Sequence, residues 1–122
     1  MIDLNNLKKI NDEYGHDEGD KLIEKTAKTI KDCIRTNDIV ARLGGDEFAI
    51  LNVETNLIDT EKLSKRIFNA LTAINIEVAI GIAVRDPSKD LKEAVKEADK
   101  KMYENKAKLK LGTLLIPKFN YA

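Results

Sequence analysis

Three things that would narrow this chain's role at once are missing from it: an excess of one charge, a second cysteine and a long apolar run. Lysine plus arginine and aspartate plus glutamate each number 21. No net charge therefore draws the chain to nucleic acid or to an anionic membrane, and any anion it binds must be held by local groups. The single cysteine, Cys33, excludes an internal disulfide and makes a reducing cytoplasm the simplest home. It falls among apolar helical positions, where a buried small residue is the expected role rather than a nucleophile. No stretch approaches the roughly 18 apolar residues of a membrane span, so no direct membrane insertion is expected, and the first residues carry no signal-peptide pattern. Internal repeats, low-complexity tracts and linkers are absent too. What remains is 122 residues, 43% apolar and 34% charged, read as one soluble domain over 1–122.

Apolar spacing divides the chain into elements. Ile23, Ala27, Ile30 and Ile34 recur on one helix face between Asp20 and Arg35. Ile39 to Leu43 and Phe48 to Val53 form two short strands joined through Gly44-Gly45. A second amphipathic helix covers Thr60 to Ile74, with Thr60 as its N-cap. The β-branched run Ile76 to Val84 reads as a central strand, and a third helix runs from about Asp90 to Lys108. At the front, "MIDL" is the tail of a strand, followed by a helical turn through Leu7 and Ile10. The tail, 111–122, could add an edge strand ended by Pro117. Strand, helices, hairpin, helix, strand and helix make an α+β layer sandwich.

Chemistry concentrates in "ARLGGDEFAI", Ala41 to Ile50, where two acids follow two glycines at the mouth of a core strand. Acids near turns are usually only solvated. Here a third acid, Asp3, ends another strand just before "LNNLKK". If those strands are neighbours, Asp3 and Asp46 converge at the rim of the sheet. Close carboxylates repel unless a cation joins them, and an all-oxygen ligand set suits Mg²⁺. Magnesium beside backbone N–H groups and lysines is what triphosphate chemistry requires.

At this point the residues resemble a known family. "GGDEF" (Gly44 to Phe48) is similar to the signature of the GGDEF-domain diguanylate cyclases. "DLNNLKKIND" with "GHDEGD" is similar to the family's earlier D-x-D-x-F-K-x-I-N-D and G-H-x-x-G-D segments. Ala98-Asp99, Met102-Tyr103 and Lys106 match its later A-D-x-x-M-Y-x-x-K. The blocks keep their order over residues 3 to 106.

The resemblance implies a nucleotide-cyclase and polymerase-palm type of sandwich, a mostly antiparallel central sheet flanked by helices. It implies two Mg²⁺ ions, with Mn²⁺ as a substitute, held by Asp3, Asp46, Glu47 and the Leu4 carbonyl, Asp46 and Glu47 being catalytic. Asn11 and Asp20 would read guanine, an amide and a carboxylate matching its acceptor and donors. Lys8, Lys106 and backbone N–H groups near Asn6 and Leu7 would hold phosphates. Gly44 and Gly45, lacking Cβ, would let substrate lie against the hairpin. The implied reaction joins two GTP into cyclic di-GMP across a homodimer and releases two pyrophosphates, under a sensor domain expected in the full-length protein. Arg35 and Asp38 match the family's R-x-x-D inhibitory motif, and Arg66 would complete that product site. The alternative is a catalytically impaired module that senses cyclic di-GMP or GTP.

His16 matches a position that holds the loop between Asn11 and Asp20. Three departures stand out: Asn5 replaces an aspartate, Lys110 stands at the spacing of a phosphate arginine, and family members carry a further N-terminal helix and most of the first strand. The last reads as an N-terminally shortened domain, whose exposed strand edge "GTLLIP" of its own or another chain would cover.

Overall fold

The computed structural model describes the backbone of residues 1–115 and the side chains of residues 1–111. Its elements run β1 (Ile2–Leu4), α1 (Leu7–Tyr14), α2 (His16–Cys33), β2 (Ile39–Arg42), β3 (Glu47–Leu51), α3 (Leu57–Ala73), β4 (Val78–Ile80) and α4 (Leu91–Leu115). The four strands form one sheet in the order β2-β3-β1-β4, and every pairing is antiparallel. This is the α+β sandwich expected from the sequence.

Successive side chains of a strand point to opposite faces, so the register sorts the residues. Ile2 lies opposite both Phe48 and Ile80, and Leu4 opposite Val78. Ile2, Leu4, Phe48 and Val78 join Ile30 of α2 and Leu63, Ile67 and Leu71 of α3 in one buried cluster, with Ile80 packed against it half-buried. Asp3 lies opposite Glu47 and Ala79, facing the other way. That second face receives α4, whose backbone comes down directly on Gly81. A Cβ there would stand 2.0 Å from the Ala98 carbonyl oxygen and 2.2 Å from the Met102 nitrogen. The Asn105 side chain accepts the Ile80 amide at 3.0 Å and fixes the same crossing.

Several expected boundaries move, two of the strand ends for nonlocal reasons. The central strand is β1; β4 closes one end of the sheet and stops at Ile80 rather than Val84. Gly81 still pairs with Met1, its amide donating to the Met1 carbonyl at 2.9 Å. Ile50, Leu51 and Ile82 to Val84 part around a cavity of about 300 Å³ that Met1 and Ile2 also line. β3 begins at Glu47 and ends at Leu51, because the Val53 amide turns to the Asp38 carboxylate instead. The cap of α3 is Asn56, whose Oδ1 accepts the Asp59 amide at 2.9 Å; Thr60 lies inside the helix. α1 is a two-turn helix, and α2 starts at His16, so His16 opens a helix, exposed, instead of holding a loop. Cys33 is half-buried.

The tail departs most. α4 continues to Leu115, so residues 111–115 are helical and not an edge strand. Both edges of β1 are paired by β3 and β4 of this chain, and residues 112–115 of "GTLLIP" belong to α4 rather than to this sheet. Residues 116–122, Pro117 among them, lie outside the described residues.

Candidate active site

β1 and the β2–β3 hairpin bring the acids together. Asp3 and Glu47 are directly opposed cross-strand partners, which places their Cβ atoms roughly 4.5–5.5 Å apart on one face. The Leu4 amide donates to the Asp46 carbonyl at 2.7 Å, which brings Asp46 beside Leu4. The hairpin closes through the Leu43 amide on the Glu47 carbonyl at 2.9 Å. Arg42 was not expected here; its Nη2 donates to the Gly45 carbonyl at 3.0 Å and its Nε to the Gly44 carbonyl at 3.1 Å. Neither Gly44 nor Gly45 has positive φ, and a Cβ on either meets nothing within 4 Å. Nothing in this chain's own packing demands glycine at those positions.

Across the acids lies α4. Lys106 Nζ contacts Asp3 Oδ2 at 2.9 Å. Asp3 is 4% exposed, and its Oδ1 is buried without a hydrogen-bond partner. Burial, which disfavours the charged form, pushes the Asp3 carboxyl above its ordinary range; the Lys106 ammonium pulls against this, and Asp46 adds repulsion. Glu47 is raised as well, by burial first and then by the charges of Asp3, Asp99 and Asp46. Lys106 is raised chiefly by its hydrogen bond to Asp3. Among the described residues no three His, Cys, Asp or Glu side chains form a ready-made metal cage.

The start of α1 adjoins the acids. Asn6 takes a left-handed conformation (φ 67°) and makes no side-chain cap; its Nδ2 reaches Glu77 Oε2 at 3.3 Å instead. The first turn holds no acid, and the first intrahelical bond runs from the Ile10 amide to the Asn6 carbonyl. The preceding amides of a helix have no internal partner and form an anion site, here flanked by exposed Lys8. Asn11 and Asp20 stand apart from the acids, on the α1–α2 pair. The Asn11 amide lies on Gly19, where a Cβ would sit 1.7 Å from its Oδ1. That close approach puts Asn11 against Gly19, the chain neighbour of exposed Asp20. Lys110 is exposed one turn beyond Lys106.

A second cluster lies on the α2–α3 side. Asp38, 8% exposed, receives the Arg35 amide at 3.0 Å, Arg35 Nη2 at 3.3 Å and the Val53 amide at 3.2 Å. Arg35 Nη2 also donates to the Val53 carbonyl. Burial raises the Asp38 carboxyl and the hydrogen bonds lower it; the bonds prevail and hold it below its ordinary range. Arg66 donates to the Cys33 carbonyl at 2.9 Å. With Asn52, Thr55, Asp59 and Lys62 these residues line a cavity of about 290 Å³. Sequence reading found Arg35, Asp38 and Arg66 but missed Lys62 and Asp59. They lie four and seven residues before Arg66, a helical spacing that could have found them.

Comparison with known proteins places this arrangement. The model of the family "Diguanylate cyclase, GGDEF domain" matches residues 1–110. Diguanylate cyclase A of Treponema denticola is 35% identical over 116 residues, 87% of this chain and 31% of that protein. The probable diguanylate cyclase DgcJ of Escherichia coli is 39% identical over 109 residues, 86% of this chain and 22% of its own length. The chain thus spans about a third or less of these curated relatives. The GGDEF domain of PA1120 from Pseudomonas aeruginosa superposes with a TM-score of 0.80 at 33% identity, covering 88% of this chain and 73% of that one. The GGDEF domain of DgcB from Caulobacter crescentus, solved in complex with c-di-GMP, shares the fold. Its TM-score is 0.81 at 24% identity, over 87% of this chain and 69% of that one.

Proposed function

The chain belongs to the GGDEF domain family, and from that premise we propose that it is a diguanylate cyclase catalytic domain, condensing two GTP into cyclic di-GMP. The observation that carries this reading is the convergence of Asp3, Asp46 and Glu47 beside the uncapped start of α1. The three acids repel, and a buried Asp3 oxygen lacks a donor; divalent cations and phosphates are what such a surface takes up. Asp3, Asp46, Glu47 and the Leu4 carbonyl would hold Mg²⁺. Magnesium seldom needs a full protein cage, because it keeps waters and shares phosphate oxygens. When bound, it lowers the pKa of a coordinated hydroxyl and neutralises charge on the pyrophosphate leaving group.

The chain's own groups do the rest. Asn11 and Asp20 hold the guanine edge, the amide accepting or donating and the carboxylate accepting from N–H groups. The free amides around Asn6 and Leu7, with Lys8, Lys106 and Lys110, hold the β- and γ-phosphates. The open surface at Gly44 and Gly45 lets the nucleotide lie against the hairpin. Asp46 accepts the proton as the 3′-oxygen attacks the α-phosphorus; the bond from that phosphorus to the β-bridging oxygen breaks and pyrophosphate leaves. The attacking hydroxyl comes from the GTP of a second copy, so two domains facing each other about a twofold axis complete the ring. Incubation with Mg²⁺ and GTP, analysed for cyclic di-GMP, tests the reading; absence of product from the dimer would falsify it.

The second reading is a receptor lacking turnover, favoured by the cavity that Arg35, Asp38, Lys62 and Arg66 line. Their cations suit a cyclic dinucleotide's phosphates. Calorimetry with cyclic di-GMP on the wild type and on Arg35→Ala tests it, binding being lost in the variant. In the cyclase reading the same cavity serves product inhibition.

A further inference from the structure

Lys106 stands where a divalent cation would. Its Nζ lies 2.9 Å from Asp3 Oδ2, while Oδ1 of the same buried carboxylate has no partner. One tethered positive charge thus answers three clustered acids, and answers only half of Asp3. The backbone under Lys106 has little room to shift. α4 is seated on Gly81 through Ala98 and Met102 and pinned to Ile80 by Asn105, so the ammonium meets Asp3 from a fixed Cα. The side chain itself is free to move: it is 35% exposed and has four rotatable bonds. A phosphate held at the neighbouring start of α1 would offer it another partner.

We propose that Lys106 is the site's internal counter-ion, occupying Asp3 in the empty domain and giving way when the cation and the triphosphate arrive. The proposal rests on the metal and phosphate roles argued above and adds an order to them. A cation arriving alone must displace the ammonium, which lowers its affinity. A triphosphate drawing Lys106 away removes that competitor, so nucleotide raises the domain's affinity for metal, and by linkage metal raises its affinity for nucleotide. The empty domain therefore resists loading with metal before substrate.

The test is calorimetric titration with Mn²⁺, no nucleotide present, of the wild type, Lys106→Met, Lys106→Gln and Asp3→Asn. Lys106→Met is expected to bind Mn²⁺ about tenfold more tightly than the wild type, Lys106→Gln by a smaller factor, and Asp3→Asn more weakly. A lysine that merely braced the fold would give no gain of affinity on removal. Because a variant could fail for want of folding, the wild type is also titrated with diamagnetic Mg²⁺ while the lysine ζ-ammonium resonances are followed by NMR. One exchange-protected signal, absent from Lys106→Gln, is expected to vanish as Mg²⁺ binds. Equal or weaker Mn²⁺ binding by Lys106→Met, or a protected signal that survives Mg²⁺ saturation, overturns the counter-ion proposal and leaves the metal site standing. Absence of Mn²⁺ binding in every nucleotide-free protein also overturns the counter-ion proposal, and absence of binding even with a non-hydrolysable GTP analogue present overturns the metal reading as well.

Discussion

Asp3 and Asp38 are both carboxylates withdrawn from water beside a long cation, and they are in opposite states. Asp38 is saturated: two amides and the Arg35 guanidinium meet its oxygens, and its carboxyl is held low. Asp3 has one oxygen on Lys106 and one on nothing, with two more acids at hand, and its carboxyl is pushed up. Burial alone therefore does not distinguish a brace from a reactive centre; the count of satisfied lone pairs does. Asp38 stabilises the ends of α2 and the hairpin. Asp3 is kept in a state that the fold alone does not favour and that a bound cation would.

The largest effect expected from breaking this contrast is on turnover. Asp46→Ala should lower cyclic di-GMP synthesis by on the order of a thousandfold or more while circular dichroism and melting stay native, measured by chromatography of product. Asp38→Ala comes next and acts on stability. It strands the Val53 and Arg35 amides and should cost about 2–3 kcal/mol in urea unfolding. Asp3→Asn, measured in EDTA, should lie within about 1 kcal/mol of wild type or above it, because it removes a charge the metal-free fold disfavours.

Acidity separates the two further. The Asp38 carboxyl is depressed, so its contribution is present above the unfolded value of about 3.9 and is lost as pH falls through its lower folded value. Asp3 and Glu47 are raised, so their contribution is fully present below their unfolded values, about 3.9 and 4.3, and is lost as pH rises through their folded values. Urea midpoints in EDTA should accordingly show an acid limb that Asp38→Asn lessens and a decline towards neutral pH that Asp3→Asn lessens, Glu47 keeping its share. Saturating Mg²⁺ should flatten the decline. The smallest expected effect is that of Gly44→Ala on stability, within about 0.5 kcal/mol, since its Cβ meets only open space. Turnover in that variant should nonetheless fall. By contrast Gly81→Ala, with a helix backbone 2.0 Å away, should cost about 1–3 kcal/mol.

Much of the acid rim was legible in sequence, because two acids between a glycine pair and a core strand have few places to go. Asp3 was legible for the same reason, at the end of an apolar strand. The Arg35–Asp38 pair was legible as a motif, but not its hydrogen bonds to Val53, which depend on where the hairpin ends. The meeting of Lys106 with Asp3 was not legible. It depends on how α4 crosses the sheet, which Gly81 and Asn105 decide, and neither shows in the helix's own periodicity. β4 is shorter than the β-branched run Ile76 to Val84 because its pairing depends on β1, a partner 76 residues earlier in first-residue numbering, from Ile2 to Val78, which the run itself does not reveal. Thr60 was mistaken for a cap since the buried positions of α3 begin at Leu63. The turn before it is exposed, and its start is marked only by Asn56.

The middle strand of the sheet is three residues long, and the second of them is Asp3. Its two edges join the hairpin to β4, and among the described residues no other strand links those two parts of the sheet. Local opening at this carboxylate is therefore expected to cost nearly as much free energy as unfolding the domain. The Leu4 amide should exchange with deuterium only as fast as the whole molecule opens. A regulator is therefore expected to act by moving the hairpin tip or α4 rather than the floor beneath the acids.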